Sequence, residues 1–298
     1  MRIVISGSSG LIGQPLVARL RSAGHDVVRL VRRPAGADEA TWDPVAGTLD
    51  PAVIDGADAV INLAGAGIGD RRWTDEYKQE LRDSRLRSTD LLASTIAAAE
   101  RRPGVFLSGS AIGIYGPRAD EELDESSAPG TDFLARLCVE WEAATAPAEA
   151  AGVRVAHLRT GIVLSPAGGA LKKQLPLFKL GVGGRFGNGR QWQSWIGLPD
   201  EIGAIEFLLT AEVSGAVNLT APAPVTNAEF TRTLAAVLKR PAILPIPSFG
   251  PKLLLGGELV TALLLTGQRV LPRRLTAAGY SFQSSNLEAA LRELLDKH

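Results

Sequence analysis

The sequence of 298 residues has one cysteine, Cys138, so no disulfide forms within the chain and a reducing, cytoplasmic setting is expected. It has no excess of charge: 32 basic side chains balance 32 acidic ones. A neutral chain lacks the attraction that nucleic acid or an anionic membrane exerts, so neither is expected as a partner. It has no long apolar run. The most apolar late stretch, Leu253–Leu265, is too short to span a bilayer and contains Glu258. Internal repeats and low-complexity tracts are missing, the start reads as neither signal nor transit peptide, and no metal site is expected. What remains is 45% apolar, enough for one large domain and a smaller one.

The opening stretch organises the rest. Met1–Ser6 alternates and is rich in β-branched residues, which reads as a buried strand. Gly7, Gly10 and Gly13 follow, then Leu16, Val17 and Leu20 at helical spacing, which predicts a helix over Leu11–Ala23 ended by Gly24. His25–Val31 is a second strand. Such a turn brings the helix N-terminus, with its unpaired N–H groups and partial positive charge, onto a diphosphate. Gly7 and Gly10 clear the approach and Gly13 lets helix and strand pack closely. At the end of the second strand an acid would bind the ribose hydroxyl of NAD. Arg32 and Arg33 stand there instead, and forked guanidinium groups suit a 2′-phosphate, so NADP(H) is the expected cofactor.

The alternation continues. Arg33–Gly56 reads as loop-rich, with a short strand and one helical turn within Thr48–Ile54. Ala57–Leu63 is a strand running into Ala64 and Gly65, so Asn62, Leu63, Ala64 and Gly65 are placed beside the cofactor. A helix over Asp75–Glu100 follows, then a strand over Gly104–Gly109 whose carboxyl end brings the hydroxyls of Ser108 and Ser110 to the crevice mouth. Asp120–Asp124 is an acidic loop. Phe133–Ala146 is a helix and Val153–Leu158 a strand that leads to Arg159. The pattern implies an α/β fold, a doubly wound parallel sheet of the Rossmann kind. Residues 1–221 are assigned to it, with 166–197, a glycine-rich segment bearing Trp192 and Trp195, closing a substrate pocket. Residues 222–298 form a smaller, mainly helical part: a helix over Asn227–Leu238, a proline-rich turn at Leu244–Pro247, a helix over Gly250–Leu265 and a last one over Leu287–Leu295. The apolar Leu253–Leu265 fits packing inside this part or against a second copy, so a homodimer is one arrangement the pattern allows.

The glycine pattern, the Asn62-Leu-Ala-Gly65 strand end, the Ser108–Gly116 segment and the Asp200 helix together resemble the extended short-chain dehydrogenase/reductases. RRWTDEYKQELRDSR, LFKLGVGGRFGNGRQWQSWI and RRLTAAGYSF are similar to an atypical "epimerase family" branch, NAD-dependent epimerase/dehydratase-like, with a small C-terminal helical domain. The resemblance implies an NADP-binding Rossmann domain and places cofactor contacts on Gly7, Ser9, Gly10, Leu11, Ile12, Val31, Arg32, Asn62, Leu63, Glu80, Arg85 and Arg159. It also implies a Tyr-x-x-x-Lys pair for proton transfer. No such pair occurs: Leu134 stands where Tyr belongs and Cys138 where Lys belongs. Ser108, Ser110, Tyr115 and Cys138 are therefore the candidates for proton chemistry. Two functions follow as expectations, an NADP(H)-dependent oxidoreductase or epimerase of a small carbonyl or sugar-like substrate, and an NADP(H)-binding sensor or scaffold without turnover.

Overall fold

Ile3, Val4 and Ile5 are sealed from solvent in β1 (Arg2–Ser6), the middle strand of the sheet, in a computed structural model that describes residues 1–242, 245–247 and 249–297. After β1 come α1 (Gly13–Ser22), β2 (Asp26–Val31), β3 (Glu39–Asp43), β4 (Thr48–Leu49) and β5 (Ala59–Asn62). A long helix α2 (Asp75–Ala98) returns the chain to β6 (Val105–Ala111), then a short β7 (Glu122–Leu123). Helices α3 (Phe133–Ala143) and α4 (Ala146–Ala150) precede β8 (Arg154–Thr160) and β9 (Ile162–Leu164). Next are α5 (Gly169–Lys179), β10 (Trp192–Gln193), β11 (Trp195–Gly197), α6 (Leu198–Leu208) and β12 (Gly215–Leu219). The main sheet runs β12-β8-β6-β5-β1-β2-β3-β4 and is parallel except for the β3–β4 edge pair. The chain moves outward from β1 through β2 and then returns to β5 on its other side. That reversal leaves a crevice above the carboxyl ends of β1 and β5, where ligands of open α/β sheets bind.

Two apolar layers close the sheet. Leu16, Leu20, Ile205 and Leu208 of α1 and α6 pack on one face; Leu92 and Ile96 of α2, with Ala148 of α4, pack on the other. A third cluster joins α5 to the C-terminal helices α7 (Asn227–Leu238) and α11 (Leu287–Leu294) around Trp195. Trp195 is thus a core residue, its indole N–H spent on the Ala223 carbonyl at 2.9 Å. Trp192, half-buried, lies under Arg269 and donates to Asp120 at 2.8 Å. The acidic loop is in this way tied to the C-terminal part, with Glu122 paired to Arg269 at 2.9 Å.

Three elements differ from the sequence reading. β3 lies within the segment read as loop, because its polar alternation buries only Trp42 and gives no apolar pattern. The helix over Phe133–Ala146 stops at Ala143 and restarts as α4, since Pro147 supplies no N–H and its ring would meet the carbonyl four residues back. The helix over Gly250–Leu265 is broken into α8 (Phe249–Leu255), α9 (Gly257–Val260) and a π turn at Thr261–Leu265. Gly256 makes the break with φ of 92°, a left-handed conformation that a side chain disfavours. Leu244 of the expected proline-rich turn lies outside the described residues. No helix among the described residues is long and apolar enough to cross a membrane.

Candidate cofactor and substrate site

The crevice begins at the glycine turn. Gly7 has φ of +68°, and a Cβ on it would lie 2.4 Å from the Leu63 carbonyl oxygen. A Cβ on Gly13 would lie 2.2 Å from the carbonyl oxygen of Gly7. Both glycines are required by the protein's own packing. Gly10 is different: it is exposed, and its Cβ would meet only the Gly7 carbonyl, at 3.3 Å. Its missing side chain leaves open space above the turn rather than room for another part of the fold. Helix α1 starts from Ile12, which offers no side-chain cap, and its first turn holds no acid. Its positive end therefore faces the crevice uncompensated by its own residues. Ser9 is exposed beside it, and Leu11 packs under Gly168.

Past Val31, half-buried at the end of β2, the two arginines part. Arg33 forks onto Glu39 at 2.7 and 2.8 Å. The Arg33 hydrogen bonds and the Gly36 amide hold the Glu39 carboxyl down to about 2. Arg32 is exposed and makes no ion pair among the described residues. The other wall is the exit of β5. Asn62 is fully buried: its Oδ1 accepts from Ser6 Oγ at 2.5 Å and from the Ala64 amide at 3.2 Å, and its Nδ2 donates to Thr89 at 2.9 Å. Its side chain fixes the turn, leaving the backbone of Leu63, Ala64 and Gly65 to line the crevice. Arg85 of α2 comes to Gly65, whose Cβ would lie 3.4 Å from the arginine side chain. It stacks on Trp141 at 5.0 Å, donates to the Leu81 carbonyl, and has no carboxylate partner among the described residues. Burial pulls its pKa down, which marks an uncompensated cation. Glu80, on the same helix, faces Arg71 at 3.2 Å and is half-exposed.

Ser110 and Arg159 converge on Glu142 of α3, and Tyr115 joins them through Arg159. Ser110 Oγ donates to Glu142 at 2.6 Å, and Arg159 donates to both carboxylate oxygens at 2.8 and 2.9 Å. Arg159 also donates to Tyr115 Oη at 3.0 Å, and Tyr115 in turn donates to Asn218 at 2.7 Å. Burial raises the Glu142 carboxyl, but Arg159 and Ser110 outweigh it and the net shift is downward, so it stays ionised. Tyr115 is fully buried and burial raises its hydroxyl. Arg159 turns to this network and not to open crevice. Cys138 sits one helical turn before Glu142, where burial pushes its thiol up to about 12. Leu134 packs with Phe133 and Leu263 in an apolar cluster under the π turn. Ser108 is fully buried, and its hydroxyl has no partner among the described residues. No group of three or more metal-ligating side chains occurs among the described residues.

Residues 3–220 match the profile of the NAD dependent epimerase/dehydratase family. The chain belongs to that family. Residues 246–294 match a second profile, a domain of unknown function named DUF1731. An epimerase family protein of Mycobacterium bovis, Mb2239, is 47% identical over 97% of this chain and 96% of its own. The crystal structure of human epimerase family protein SDR39U1, isoform 2, with NADPH superposes with a TM-score of 0.90 at 36% identity, over all of both chains. A nucleoside-diphosphate sugar epimerase from Corynebacterium glutamicum superposes at 0.81 with 37% identity, over 99% of this chain and 58% of that one.

Proposed function

We propose that this member of the family is an NADP(H)-dependent oxidoreductase or epimerase-like enzyme acting on a small carbonyl or sugar-like substrate. The observation that carries the reading is a pair of guanidinium groups without carboxylate partners, Arg32 at the exit of β2 and Arg85 beside Gly65. Two uncompensated cations on the walls of a crevice that also receives an uncapped helix start call for a ligand with several anionic groups. NADP(H) is such a ligand, and NADPH is in the crystal structure of the human relative. The amides at the start of α1 and the space over Gly10 take the diphosphate, Arg32 takes the 2′-phosphate, and Arg85 takes a further anionic oxygen. When bound, the cofactor supplies hydride chemistry. Residues 1–221 hold it, and 166–197 with 222–298 close over the substrate. Ser110 donates its hydrogen bond to the ionised Glu142, which leaves its oxygen lone pairs to accept a hydrogen bond from a substrate hydroxyl. Arg159 and Tyr115 hold Glu142 and Ser110 in place. The buried, protonated thiol fits a reducing cytoplasm.

The test is calorimetry with NADPH and NADH, followed by NADPH consumption with a panel of carbonyl compounds. Ser110→Ala is expected to lower turnover at least about tenfold, the loss of one hydrogen bond to a charged partner, with the NADPH dissociation constant unchanged. A second reading, a binder without turnover, is favoured by one observation: the Ser110 and Tyr115 hydroxyls both turn inward, while Leu134 and Cys138 hold the positions of the tyrosine and lysine. Tight NADPH binding with no consumption across the panel selects that reading, and no heat from NADPH sinks both.

A further inference from the structure

Three arginines, Arg29, Arg32 and Arg33, stand in or just past β2, and one carboxylate on β3 faces two of them. Glu39 is paired in register with Arg29 across the two strands. Arg29 and Arg33 both turn to Glu39, whereas Arg32, just past the strand end, makes no bond to it. Arg29 donates to Glu39 Oε1 at 2.5 Å, Arg33 donates to both oxygens at 2.7 and 2.8 Å, and the Gly36 amide adds a fourth bond at 2.8 Å. The Glu39 side chain is only 2% exposed, covered by Arg29 and Arg33, which themselves stay open to water. Arg33 is further tied down by a bond to the Pro34 carbonyl at 3.0 Å, and its own carbonyl accepts from Thr41 at 3.0 Å. A phosphate arriving at this strand end meets one unengaged guanidinium and two that already have a forked or short charge-assisted partner.

We propose that Arg32 alone reads the 2′-phosphate, and that Glu39 is the positioning residue that makes it so by withdrawing Arg29 and Arg33. The inference rests on the NADP(H) reading above and narrows it from two arginines to one. Glu39 acts on specificity without touching the ligand: it sets how many cations the phosphate can recruit, and it closes the turn from residue 33 to residue 39 that follows directly on Arg32.

The experiment is calorimetric titration of the full chain with NADPH and with NADH at one ionic strength, for the native protein, Arg32→Ala, Arg33→Ala, Glu39→Gln and Glu39→Asp. The readout is the ratio of the two dissociation constants, which a loss of folding alone does not move. Arg32→Ala is expected to reduce the preference for NADPH about 10- to 100-fold, the loss of one charge-assisted pair, leaving NADH within about threefold. Arg33→Ala weakens both coenzymes alike and keeps the ratio. Glu39→Gln frees Arg33 and raises the preference for NADPH about three- to tenfold, and Glu39→Asp, which keeps the charge, holds the native ratio. A ratio that falls as far with Arg33→Ala as with Arg32→Ala overturns the inference and leaves the NADP(H) reading standing. So does a Glu39→Gln protein that loses both coenzymes equally. A native protein with no preference for NADPH overturns the reading beneath.

Discussion

Replacing Glu201 by glutamine should remove most of a pH dependence of stability that runs opposite to the usual acid response. Glu201 lies in the first turn of α6 with no exposed surface. One oxygen accepts from Thr160 at 2.8 Å, and the other has no partner among the described residues. Burial pushes the carboxyl up from 4.5 to about 8. The folded chain therefore keeps a proton that the unfolded chain releases, and stability falls as pH rises between those values. Each unit costs about 1.4 kcal/mol, so from the unfolded value to neutral pH the loss is about 3 kcal/mol, a large part of a typical folding free energy. Urea unfolding at steps between about pH 5 and pH 8 measures it, read as the difference between native protein and Glu201→Gln. His157 also titrates in this window: burial lowers its pKa, so it costs stability on the acid side, and subtraction cancels it. Glutamine keeps an acceptor for Thr160, so the variant should lose little there. Parallel curves for the two proteins across the window refute the burial argument.

The two kinds of glycine can be separated. Gly10→Ala should leave the unfolding midpoint nearly unchanged and weaken NADPH about tenfold or more, whereas Gly7→Ala should cost at least about 1–3 kcal/mol of stability, from a strained backbone pressed on Leu63. Arg159→Leu strips a buried carboxylate of its forked partner and should cost about 3–5 kcal/mol by urea unfolding, partly restored when Glu142→Gln is added. Cys138 should react with a disulfide reagent only as fast as the chain unfolds, because the thiol is buried and remains protonated up to about 12. Rapid labelling of the native protein at mild alkaline pH would contradict that.

The sheet, its helices and the glycine turn were legible because each is written in neighbouring residues: apolar spacing, a breaker, a strand exit. The partition of Arg32 from Arg33 was not, since it depends on Glu39 in a strand whose polar residues mimic a loop. The Glu142 network was hidden for another reason. Ser110, Arg159 and Tyr115 were each noticed as single residues, but their partners lie 32, 17 and 103 residues away and no local spacing encodes that meeting. The break at Gly256 could have been suspected from the paired glycines, but the apolar run around them spoke for one helix. In the first two cases the hidden part is a polar contact made across the fold, and polar contacts leave no periodicity behind.

The position that the resemblance gives to lysine explains why Cys138 is tolerated there. Arg85 reaches the same place from α2: it stacks on Trp141, one turn of α3 from Cys138, and its charge acts on the thiol. A lysine at 138 would put a further cation into a slot only 4% exposed, where the nearby Glu142 is already forked onto Arg159 and Arg85 has no carboxylate of its own. Like charges in a desolvated site repel and lose hydration together. Cys138→Lys should therefore destabilise the chain strongly, and Arg85→Ala should relieve part of that loss. The double-mutant cycle is expected to give a coupling of about 1–3 kcal/mol in favour of the pair of changes. Strict additivity would mean that the two positions do not share one charge, and that the loss of the lysine has to be explained without Arg85.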